Sequence, residues 1–128
     1  MADPQTAEIV YADGSSEGLR VSSIAPGRYR LEESSLLGEA VFGDVIEATM
    51  TPDGRLQFKG VAAPSEMSTV RFILTRRQIN APGLQPLLDH VMALGGNWER
   101  ALGGVLFVHL PKSVHMDIES EISSLSAK

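Results

Sequence analysis

The strongest constraint on the fold is a change of hydrophobic period near the middle of the chain. Before residue 60 the apolar residues alternate with polar ones, the mark of half-buried strands. Asp44–Thr51 sets Ile46, Ala48 and Met50 on one face and Glu47 and Thr49 on the other. The turn Thr51-Pro52-Asp53-Gly54 follows, with a proline that presets φ and a glycine suited to the left-handed position. Leu56 and Phe58 then resume the alternation, which predicts a hairpin across Pro52–Gly54. Glu8–Ala12, Gly18–Ile24 and Arg28–Glu33 read as further strands, Gly38–Phe42 is looser, and Gly60 marks a bulge or bend.

The second half runs at a different period. Val70–Thr75 is apolar on both faces and reads as a central strand. In Gly83–Leu94, residues Leu84, Leu87, Leu88, Val91 and Leu94 form the stripe of an amphipathic helix, stopped by Gly95. Asn97–Ala101 and Val105–Leu110 read as strands joined through Gly103-Gly104. Ser113 is placed to cap a last helix carrying Val114, Ile118, Ile122 and Leu125 on one stripe. The expected class is α+β: an N-terminal antiparallel β-sheet or small barrel followed by a β-α-β-β-α ferredoxin-like half. Residues 1–128 are expected to form a single domain, with a β-rich lobe over about 8–62 and a second lobe over about 68–126.

Composition narrows the function by exclusion. A chain of 128 residues, 43% of them hydrophobic, can bury a core without staples. A net charge of −5 and only 5% aromatic residues argue against nucleic acid and anionic membranes as partners. The absence of cysteine excludes thiol catalysis and disulfides and fits a cytoplasmic chain. The N-terminus MADPQTAEIVYADG does not read as a signal peptide, and no run approaches a membrane span. The glycine pairs of ALGGNWERALGGVLFVHLP are followed by no lysine and come after a helix, so they do not build a phosphate loop. None of GxGxxG, HExxH or SxxK occurs, and no catalytic residue, cofactor or metal site is expected.

Four side chains remain as ligand-binding candidates. With Trp98 turned inward, Glu99 faces the other side of its short strand and can pair with Arg71, Arg76 or Arg100. His109 shares a strand face with Val105 and Phe107, either held by hydrogen bonds or serving as a ligand. Arg76-Arg77 opens the loop TRRQINAPG and offers charge to a phosphate or an acidic partner. The candidate set is therefore Glu99, Arg71, His109 and Arg76.

The runs GRYRLEESSLLGEAVFGDVIEA, DGRLQFKGVAAPSEMSTVRFIL, LLDHVMALGGNWER and GGVLFVHLP carry a family resemblance. Over about residues 18–125 the chain resembles the bacterial domain-of-unknown-function family 4265. The matching positions are Tyr29, Leu31, Gly43, Asp44, Val45, Ser65, Ser68, Thr69, Arg71, Leu94, Gly95 and Glu99. The resemblance implies an architecture and a set of site positions, but no reaction. Three functions follow from the residues. The first is a small non-catalytic binding or regulatory module, joined through a sheet edge to a protein partner or to another copy. The second is a ligand-binding protein or enzyme using a groove between the lobes. The third is an acidic partner-binding protein of antitoxin or immunity type.

Overall fold

The change of period is also a structural boundary. The computed structural model describes residues 4–125, and the chain divides into two compact units between Ser65 and Glu66. The outermost ends of the expected domain, residues 1–3 and 126–128, lie outside the described residues.

The first unit holds β1 (Gln5–Val10), β2 (Ser16–Ala25), β3 (Arg28–Leu31), β4 (Val45–Met50) and β5 (Leu56–Ala63). Neighbours in sequence pair antiparallel. The sheet closes into a barrel because β1 also pairs with β5, in parallel, at Ile9–Leu56 and Val10–Gln57. The alternating residues fill its interior: Ile9, Leu19, Val21, Leu31, Ile46, Ala48 and Leu56 are buried. Each fully buried Leu, Ile or Val contributes about 1.5–3 kcal/mol relative to exposure. The hairpin stands across Pro52–Gly54, with the Thr51 amide on the Arg55 carbonyl at 2.7 Å. Gly60 lies at the bulge, where the register slips between Glu47–Gly60 and Ala48–Phe58. Met50, expected inward, is 63% exposed: at the hairpin end it lines an open cleft of about 280 Å3 with Tyr29 and Leu56.

The second unit holds β6 (Met67–Ile73), α1 (Arg76–Ile79), α2 (Leu84–Ala93), β7 (Asn97–Ala101), β8 (Val105–Pro111) and α3 (Ile118–Ser123). Its sheet order is β6-β8-β7, with β8 antiparallel to both neighbours. One face carries Leu106, Val108, Leu110, Val70, Phe72 and Trp98 into a core shared with Leu84, Leu87, Leu88, Val91, Ile118 and Ile122 from the helices. The helix stripe read from the sequence is the buried face of α2.

Three local features differ from the sequence reading. The segment TRRQ is a short helix, not a loop, because Thr75 and Gln78 form a capping box. The Thr75 hydroxyl accepts the Gln78 amide, and the Gln78 side-chain oxygen accepts the Thr75 amide. The other end of that side chain donates to the Ile122 carbonyl at 3.1 Å. The last helix begins at Asp117 instead of Ser113, since the Asp117 carboxylate receives the Ser120 amide and hydroxyl. β8 forms the middle strand of the second sheet, and Val70–Ile73 lies in an edge strand, β6.

Candidate functional site

The face of β6-β8-β7 opposite the helical core carries Arg71, Glu99 and His109, because successive side chains alternate across a sheet. Register sets them in three rungs: Thr69–His109–Asn97, Arg71–Phe107–Glu99 and Ile73–Val105–Ala101. Two of the four candidates meet there. His109 Nε2 and Glu99 Oε2 are 2.6 Å apart, across a diagonal between rungs. A carboxylate oxygen accepts, so Nε2 donates. On the other side of the ring Nδ1 lies 2.7 Å from Thr69 Oγ1. The result is a hydroxyl–imidazole–carboxylate chain across all three strands. The imidazole is 0% exposed, while the Glu99 side chain keeps 21%.

Arg71 occupies the next rung. Its guanidinium sits over the Phe107 ring, 5.8 Å from the centroid, and the residue is exposed. Arg76 is exposed in the first turn of α1, beyond the end of β6. Arg100, the third partner considered for Glu99, donates to the Gly103 carbonyl at 2.8 Å. Register thus gives Glu99 a histidine partner on the neighbouring strand.

The glycine pair before this strand positions it. A Cβ on Gly96 would stand 2.3 Å from the His109 carbonyl oxygen, so a side chain there would push β8 away. The Gly95 and Gly96 amides close α2 on the Met92 and Val91 carbonyls, each at 3.0 Å. The corner that ends the helix therefore also holds the strand that carries His109.

Two further polar clusters form in the first unit: the resemblance marked Gly43, Asp44 and Ser65 without showing that they meet, and the Glu17 cluster had no counterpart in the sequence reading. Glu17, on β2, accepts the Tyr11 hydroxyl at 2.5 Å, the Ser35 hydroxyl, and the Leu36 and Leu37 amides at 3.0 and 3.4 Å. Burial alone would push its carboxyl up, but these donors outweigh it and hold it below the usual carboxylate range. Burial and the adjacent Glu17 push the Tyr11 phenol up to about 12. Asp44, itself buried, accepts the Val41 amide at 3.0 Å and the Ser65 amide at 2.6 Å. Gly43 beside it has φ +89°, and a Cβ there would meet Ser65 Oγ at 2.7 Å. These carboxylates supplement the backbone bonds of the segment between β3 and β4, among them the Ser35 amide to the Ala40 carbonyl and the Gly43 amide to the Leu31 carbonyl. The sequence signals were a Gly-Asp pair entering a strand and a Glu among strand residues, neither of which names its partner.

A family model for a domain of unknown function (DUF4265) matches residues 17–123. The chain belongs to this family. No curated protein matches it. Among solved structures it is similar to a hypothetical protein from Neisseria gonorrhoeae, with a TM-score of 0.63 and 18% identity over 98% of this chain and 92% of that one. That likeness is one of fold and indicates no function. Positions through which the chain resembles the DUF4265 family fall in the clusters just described: Gly43, Asp44 and Ser65 in one, Thr69 and Glu99 in another. Arg71 lies one rung away. Among the described residues, no helix is long and apolar enough to cross a membrane, and no three acidic or histidine side chains gather as a metal site would require.

Proposed function

We propose that this DUF4265 chain is a small non-catalytic binding or regulatory module that works through a protein partner. The observation that supports this reading is the closure of His109. A general base must present a nitrogen to the proton it removes. Here one ring nitrogen faces Thr69, the other faces Glu99, and the ring has no exposed surface. In this reading Glu99, His109 and Thr69 brace three strands, while Arg71 and Arg76 are the members of the candidate set that face outward. The strand order β6-β8-β7 also supports a ferredoxin-like half. β6 and β7 run in the same direction with β8 inserted between them, the arrangement of a split βαβ unit.

The test is a panel of chromogenic carboxyl and phosphate esters, assayed with the full chain and with Thr69→Val and His109→Gln. The expected outcome is no turnover by any of the three, together with lower thermal midpoints for both variants. Turnover by the full chain that Thr69→Val abolishes would overturn the reading.

A further inference from the structure

The barrel closes along only part of its seam. β5 begins at Leu56, opposite Ile9, and among the described residues no strand continues along the outer edge of β1 toward its N-terminus. Backbone direction alternates along an antiparallel pair. The Tyr11 amide donates to the Ser15 carbonyl where β1 turns into β2, so the odd-numbered residues of β1 direct their amides and carbonyls to β2. The even-numbered ones direct theirs outward, and the Val10 carbonyl accordingly meets the Gln57 side chain of β5 at 3.2 Å. Thr6, four positions earlier, turns its amide and carbonyl to the same side, where β5 is absent. There residues 5–8, with Tyr29, Met50, Gly54 and Leu56, line the open cleft of about 280 Å3.

The two faces of β1 give the cleft an apolar side and an acidic side. Ala7 and Tyr29 pack against the barrel core, and Met50 follows Ile46 and Ala48 on the inward face of β4 yet keeps its 63% exposure. Thr6 and Glu8 project from the other face, where both flank Gly18: a Cβ there would stand 3.6 Å from Thr6 Cγ2 and 4.0 Å from Glu8 Oε1. Glu8 is the one charged side chain lining the cleft, and it is exposed. Its Oε2 accepts the Ser16 hydroxyl at 2.5 Å, which leaves Oε1 to a ligand. Asp53, beside Gly54 in the hairpin turn, is already paired with Arg55 at 2.9 Å. The wider field has the same sign. Met1–Ser65 holds ten of the 16 acidic residues and five of the 11 lysines and arginines, so this unit carries the whole net charge of −5.

We infer that the outer edge of β1 at this cleft takes up an extended segment of a partner protein in which apolar and basic residues alternate. The added strand bonds to the Thr6 amide and carbonyl, the mode in which an open sheet edge binds a peptide. Alternation along that strand sends one side chain to Met50 and Tyr29 and the next to Glu8. The shape of the cleft favours a chain over a small molecule. Its volume falls below the roughly 300 Å3 at which small-molecule sites begin, and it lies open along consecutive residues of a strand. Charge complementarity selects a basic occupant, and the same −5 on this unit opposes a second copy. The inference rests on the binding-module reading and gives it a location and a partner chemistry.

The test uses the full chain and a short fluorescein-labelled peptide of alternating lysine and valine. The controls are a glutamate–valine peptide, butylamine, and the lysine–valine peptide with its backbone amides N-methylated at alternate residues. The lysine–valine peptide is expected to bind in a salt-sensitive manner, and methylation of the amides that face β1 to abolish binding. Thr6→Pro removes an amide that is not bonded to β2, so it should leave the thermal midpoint nearly unchanged while weakening binding about tenfold. Glu8→Gln keeps an acceptor for Ser16 and should weaken binding about fivefold, with most of the salt dependence gone. No binding of the lysine–valine peptide, equal binding of both methylated forms, or binding unchanged in both variants would overturn the inference. Tighter binding of the glutamate–valine peptide, or of butylamine, would overturn it in favour of an acidic segment or a small cation. Dimerisation of the chain that Thr6→Pro abolishes would overturn it in favour of a second copy. Ester turnover lost in Thr69→Val would strike the non-catalytic reading alone, since Thr69 lies in the other unit.

Discussion

In the barrel unit, Glu17 on β2 and Asp44 just before β4 hold backbone amides that lie outside the strands. In the three-stranded unit, Glu99 stays within its sheet and holds a side chain on the neighbouring strand. The first arrangement depends on charge. Leu36, Leu37, Val41 and Ser65 offer backbone amides to carboxylate oxygens, and an ionised acceptor makes the stronger bond. The second depends on shape, because a fully buried imidazole spans the rungs between Thr69 and Glu99. Acid should therefore loosen the barrel's connecting segment first, and a change of side-chain volume should damage the other unit first.

The largest effect is expected from His109→Leu. It removes the imidazole from between a hydroxyl and a carboxylate in a buried position, at a cost of about 3 kcal/mol in urea unfolding. A loss below about 1 kcal/mol would break the comparison by showing that the rungs do not need the ring. Glu17→Gln comes next, at about 2 kcal/mol, because the amide is a weaker acceptor for the Ser35 and Tyr11 hydroxyls.

The pH dependence of that variant sharpens the contrast. The Glu17 carboxyl is held below its ordinary value of 4.5 in the folded chain, so its contribution is complete above that value. It is lost as pH falls through the lower folded value. Glu17→Gln should flatten this acid limb, and a limb of unchanged size would locate acid sensitivity elsewhere. Tyr11→Phe is expected to cost the least, about 1 kcal/mol for one hydroxyl donor. The Tyr11 phenol is raised from 10.0 to about 12, so its stabilisation is present below 10.0 and lost as pH rises towards 12. Tyr11→Phe should remove that alkaline limb from the unfolding profile.

Much of the architecture was legible because it follows from local rules. The alternation through Ile46 and Ala48, the Pro52–Gly54 hairpin and the stripe Leu84–Val91 each depend on near neighbours in sequence. The short helix α1 was missed because its capping box ties each of two side chains to the other's backbone amide across three residues, inside a segment rich in loop formers. The site was legible only in part. Glu99 was singled out because Trp98 fixed its side of the strand, and His109 because it shared a face with Phe107. That the two touch depends on the register of β7 against β8, and Thr69 joins them only through β6, forty residues away from His109. Glu17 and Ser35 are likewise separated by 18 positions and an irregular segment. Neither separation leaves a periodic trace.

One side chain joins two elements by using both ends of its amide. Gln78 spends its oxygen on the cap of α1 and its nitrogen on the Ile122 carbonyl of α3. A glutamate would keep the acceptor and set a carboxylate oxygen against that carbonyl. Slow hydrolysis of this amide to an acid, the chemistry by which proteins age, would leave α1 capped while cutting its tie to α3.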